Sequence, residues 1–69
     1  MTLQQIRYVA EIARHGTISK AAQELYITQP HLSSVLKELE NELGITIFSR
    51  ARKGVVLTED GREFLHFAR

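Results

Sequence analysis

The chain predicts a mainly α fold: a three-helix core, a small β-hairpin and a further helix at the C-terminal end. Three observations carry this. Apolar residues recur at intervals of three and four over residues 3–13 and again over 32–43, the period of helices buried along one face. Capping signals separate these stretches: Thr2-x-x-Gln5, Ser19, Thr28 ahead of Pro30, and Thr58. Between Gly44 and Thr58 the period turns extended, with β-branched residues on either side of a polar turn.

The first helix starts at Thr2, whose side chain and that of Gln5 form a capping box. Leu3, Ile6, Val9, Ala10 and Ala13 form its main apolar stripe, with Tyr8 and Ile12 flanking, and His15-Gly16 ends it. Ser19 is the expected N-cap of a short second helix bearing Ala21, Ala22 and Leu25, where two small residues permit a close crossing by the next helix. Residues 25–28 turn the chain, and Thr28 caps a third helix. Pro30 falls in its first turn, where a missing N–H costs nothing. Leu32, Val35, Leu36, Leu39 and Leu43 line the buried face of this helix, and Gly44 closes it. The hairpin follows, with strands at 45–48 and 55–57 around the polar turn Ala51-Arg52-Lys53-Gly54. Thr58 caps the last helix, 59–69, whose first turn carries Glu59 and Asp60 toward the positive end of the helix dipole.

Sixty-nine residues support one small core, near the size where folding alone becomes marginal. The 43% hydrophobic and 25% charged fractions are those of a globular chain. Without cysteine there is neither a disulfide scaffold nor a thiolate metal site, which favours a reducing compartment. No apolar run reaches the roughly 18 to 20 residues of a membrane span, and the charged, polar start is no signal peptide.

The net charge of +1 conceals blocks of opposite sign. Residues 38–48 hold three acidic groups and no basic one, and residues 49–57 hold three basic groups and no acidic one. Such blocks let a nearly neutral protein turn a basic face to a polyanion, although charge alone favours a merely solvated arrangement. The exposed face of the third helix opens with Gln29, His31, Ser33, Ser34 and Lys37, rich in hydrogen-bond donors and low in bulk. Helix, helix, turn, helix and hairpin is the order of a winged helix-turn-helix. In that fold the recognition helix, here 28–43, enters the major groove and the wing reaches backbone or minor groove. A protein-interaction module on the same scaffold is the alternative, since fold alone does not fix function.

No reactive constellation argues for an enzyme. His15, His31 and His66 lack metal-ligand spacing, Ser33 and Ser34 lack a nucleophile elbow, and Glu38, Glu40 and Glu42 read as the solvated end of a helix. No cofactor is expected.

Along essentially its whole length the chain resembles the N-terminal domain of LysR-type transcriptional regulators. The resemblance rests on Leu3-Gln4-Gln5-Ile6-Arg7-Tyr8, on Ala21-Ala22 with Leu25, and on Thr28-Gln29-Pro30 with Leu32-Ser33. It continues in Leu39-Glu40, Glu42-Leu43-Gly44, Phe48 with Arg50, and Leu57-Thr58 with Gly61. It implies that Gln29, Pro30 and Ser33 face base edges and adjacent phosphates, with His31 and Ser34 beside them. Ser34 departs from the pattern, since many members carry Arg there. Thr17, Ser19, Lys20, Thr28 and Lys37 are then phosphate contacts, and Arg50, Arg52 and Lys53 form the basic wing. The resemblance also divides the chain into a DNA-binding domain, 1–58, and the start of a linker helix, 59–69, that pairs two copies through Phe64, Leu65, Phe67 and Ala68; the alternative is that Phe64 and Phe67 close the core of the single chain against the first helix. The implied partner is double-stranded DNA bound by a homodimer in the bacterial cytoplasm. Family members carry a C-terminal effector-sensing domain, so no small-molecule ligand is expected here, whether the chain is a fragment or a short protein.

Overall fold

The computed structural model describes residues 2–68. Both halves of the capping box form at its start: Gln5 N donates to Thr2 Oγ1, and Thr2 N donates to Gln5 Oε1. From there α1 runs over Leu3–His15, α2 over Ile18–Glu24 and α3 over Gln29–Leu43. Strands β1 (Phe48–Ala51) and β2 (Gly54–Leu57) form an antiparallel hairpin, and α4 spans Glu59–Ala68. Arg69, placed in the last helix from the sequence, lies outside the described residues.

One core joins all four helices and the start of the hairpin. Val9 and Ile12 of α1, Ala21 and Ala22 of α2, Leu32, Leu36 and Leu39 of α3, Ile47, Phe48, and Leu65 of α4 are all buried. Each fully buried Leu or Ile contributes about 1.5–3 kcal/mol. Ala21 and Ala22 lie where α2 packs between α1 and α3, the close approach their size permits.

The structure corrects the sequence reading at four points. The buried face of α1 is centred on Tyr8, Val9 and Ile12, whereas Leu3 is 83% exposed. This helix is covered by α2, α3 and α4, so its apolar sector is wider and turned from the simple stripe. The cap of α2 is Thr17, not Ser19: Gly16 adopts the left-handed conformation that closes α1, Thr17 is extended, and Lys20 N donates to Thr17 Oγ1. Residues 45–47 do not enter the hairpin. The register pairs Phe48 with Leu57 and Ala51 with Gly54, which places Arg50 within β1 and only Arg52-Lys53 in the turn. Finally, Glu40 is not a solvated acid. Its Oε2 accepts from Ile47 N at 2.6 Å and from Phe48 N at 3.4 Å, supplying partners that a neighbouring strand would otherwise provide.

Two glycines hold the hairpin and α4 against the body. Gly54 has φ +146, and a side chain there would run into the Gly16 carbonyl that accepts from Val55 N at 2.9 Å. Gly61 sits directly on the Ile47 carbonyl, again leaving no room for a Cβ. Thr58 completes this joint by accepting from Gly61 N and by directing its hydroxyl at the carbonyls of Thr46 and Ile47.

Candidate nucleic-acid interface

The third helix divides into two faces. Leu32, Leu36 and Leu39 anchor one face in the core, which turns Gln29, Pro30, His31, Ser34 and Lys37 to solvent, with Ser33 half-buried beside them. Thr28 starts the helix by accepting from His31 N, and Pro30 occupies its first turn. The opening of α3 therefore presents a compact polar surface on a rigid element. Within that surface Gln29 Nε2 donates to Ser33 Oγ at 2.7 Å, one helical turn away.

Thr28 and Lys37 lie on α3 itself, and the other phosphate candidates fall into two groups. Thr17, Ser19 and Lys20 surround the start of α2, and Thr17 and Ser19 share a shallow cleft with Arg50 of β1. Arg52 and Lys53 form the exposed turn of the hairpin. The hydroxyl oxygens of Thr17 and Thr28 are committed to capping, so each can offer a ligand its hydroxyl proton. Exposed cations beside hydroxyls and backbone N–H groups suit an anionic backbone.

The last helix separates the four residues expected at a dimer interface. Leu65 is 5% exposed and belongs to the core of the single chain, because the face of α4 that meets α1 must be apolar. Phe67 is 81% exposed, while Phe64 and Ala68 are half-buried. Phe64 and Phe67 line a groove with Leu43 and Ile45. Among the described residues no cluster of acidic and histidine side chains could hold a metal ion, and no helix is long and apolar enough to cross a membrane.

Residues 3–62 match the family model described as bacterial regulatory helix-turn-helix protein, lysR family. The chain belongs to this family. Over its whole length it is 44% identical to a RuBisCO operon transcriptional regulator of Allochromatium vinosum, of which it spans 23%. Over 99% of its length it is 47% identical to the HTH-type transcriptional regulator YcgK of Bacillus subtilis, of which it spans 21%. The chain thus spans about a quarter or less of the curated relatives it matches. Among solved structures it resembles the DNA-binding domain of CbnR in complex with DNA, with a TM-score of 0.93 and 33% identity over all of this chain and 79% of that one. It also resembles the BenM DNA-binding domain on benA site 1 DNA, with a TM-score of 0.92 and 37% identity over 99% of this chain and 76% of that one. The fold is that of the LysR-type winged helix-turn-helix.

Two features of this LysR-type domain are absent from the sequence reading, one of which the sequence does not signal. Tyr26 in the turn between α2 and α3 is left-handed, φ +58, and 95% exposed. Its N–H donates to Gln23 O while Ile27 N donates to Ala22 O, a paired closure of α2 that usually calls for glycine at the Tyr26 position. The pairing of Leu25 with a turn was legible; an aromatic residue in that conformation was not. The Gln29–Ser33 bond was open to inference from the four-residue spacing on one helix.

Proposed function

We propose that the chain binds double-stranded DNA sequence-specifically, as the DNA-binding part of a LysR-type transcription regulator. The observation that carries this is the division of α3: one face locked in the core, the other exposing Gln29, Pro30, His31 and Ser34 as a group with half-buried Ser33 beside them. A rigid helix with such a face fits the major groove, where Gln pairs with adenine and Pro meets a thymine methyl. Thr17, Ser19, Lys20, Thr28 and Lys37 fix register on phosphates, and Arg50, Arg52 and Lys53 extend the contact along the backbone or into the minor groove. The DNA complexes of the CbnR and BenM domains support this reading.

Two copies pair through residues 59–69, and the solvent-facing Phe67 with half-buried Phe64 and Ala68 form the meeting face. Pairing sets the two recognition helices about one DNA turn, or a multiple, apart and calls for a roughly palindromic site. Residues 1–58 are the DNA-binding unit. The role is non-enzymatic, needs no cofactor or small-molecule ligand within these residues, and is exercised in the bacterial cytoplasm.

Anisotropy of a labelled duplex against salt tests the reading. Affinity should fall steeply as salt rises, and Lys37→Ala should flatten the log–log slope by about 1 while weakening all sequences alike. A salt-independent interaction, or none with any duplex at low salt, would favour a protein-interaction module on the same scaffold.

A further inference from the structure

Gln29 is exposed, yet its side chain is not free. Its Nε2 donates to Ser33 Oγ at 2.7 Å, across one turn of α3. Both residues stand outside the core, so the bond does little for folding. Its consequence is orientation. A carboxamide has two N–H donors and one acceptor oxygen, and an untethered glutamine can swing to present different combinations of them. With one N–H held by Ser33, Gln29 has one N–H and its Oε1 left to offer together.

We propose that Ser33 is a positioning residue that makes Gln29 an adenine reader. This deepens the DNA-binding reading and rests on it. In the major groove adenine presents an acceptor, N7, next to a donor, the N6 amino group, whereas guanine presents two acceptors, N7 and O6. The tethered carboxamide matches adenine: its remaining N–H meets N7 and its Oε1 accepts from N6. Against guanine the same orientation sets Gln29 Oε1 against O6, and the N–H that could have replaced it is held by Ser33. The tether also removes rotamer freedom before DNA arrives, so less is lost on binding. Ser33 thus acts on base choice through its neighbour.

The test uses the intact chain on the duplex it selects best from a mixed pool. The pair read by Gln29 is the position at which Gln29→Ala loses discrimination, and the comparison duplex carries guanine for adenine there. Ser33→Ala should weaken the selected duplex roughly 2- to 10-fold, the range of one neutral hydrogen bond, and should narrow the preference for adenine over guanine. Ser33→Thr, which keeps the hydroxyl, should restore both. In a Gln29→Ala background Ser33→Ala should cost nothing further. Equal losses with and without Gln29, or on selected and random duplexes alike, would overturn the proposal by making Ser33 an independent contact. In the free protein the Gln29 side-chain amide resonances should shift on Ser33→Ala; unchanged resonances would also overturn it. A wild-type chain that retains no duplex at low salt would instead bring down the DNA-binding reading, and the proposal with it, even where the amide resonances report the tether.

Discussion

Gly54→Ala probes the contact that seats the hairpin on the helical body. Two penalties follow from the structure. A φ of +146 lies where L side chains are strained, at about 1–3 kcal/mol. The new Cβ would also run into the Gly16 carbonyl and lie 2.8 Å from Thr17 Cγ2, forcing β2 away and breaking the Val55 N to Gly16 O bond, worth about 0.5–1.5 kcal/mol. Together these give about 2–4 kcal/mol, against the roughly 3–5 kcal/mol that a single core of this size supplies. Gly16→Ala is the control. Its φ is +76, but its Cβ would meet nothing within 4 Å, so only the left-handed penalty of about 1–2 kcal/mol applies. Urea unfolding followed by far-ultraviolet circular dichroism should show lowered midpoints for both variants, with that of Gly54→Ala well below that of Gly16→Ala. Equal midpoints for the two variants, or a Gly54→Ala midpoint within error of wild type, would refute the argument from close approach.

Other substitutions separate strain, tethering and surface. Tyr26→Gly should raise stability by about 0.5–1 kcal/mol, the left-handed penalty relieved less the added freedom of the unfolded chain, read as a higher melting temperature. Glu40→Ala leaves Ile47 N without its 2.6 Å acceptor and should cost about 1–2 kcal/mol in the same urea assay, whereas Glu40→Gln, which keeps an oxygen, should cost less. Phe67→Ala should change the unfolding midpoint by under about 0.5 kcal/mol while abolishing self-association in sedimentation. Leu65→Ala should instead cost about 2–5 kcal/mol in folding. Equal effects of the two on folding would contradict the division of α4 into an inner and an outer face.

Where local chemistry decides an element, the sequence already spells it out. Thr2 and Gln5 form their reciprocal cap, Thr28 and Pro30 open α3, and Gly16 and Gly44 close helices as their positions imply. The polar residues that gather on α3 are legible for the same reason, because the buried positions Leu32, Leu36 and Leu39 fix which way the others point. What escapes is decided by residues distant in the chain. Ile45-Thr46-Ile47 has the composition of a strand, but Glu40 and Thr58 take up its backbone groups and fold it into the joint between α3 and α4. Thr17 and Ser19 are both competent caps, and the left-handed Gly16 just before Thr17 selects between them. Leu65 and Phe67 are equally apolar in sequence; packing of α4 on α1 puts one inside and leaves the other in water.

The most direct test of the central claim is selection from a mixed pool of short duplexes at several salt concentrations, with sequencing of what is retained. Salt-sensitive enrichment of a two-fold symmetric sequence, with half-sites about one helical turn or a multiple apart, is the predicted result. Retention of random sequence with no enrichment at any salt, or of nothing at low salt, would contradict it.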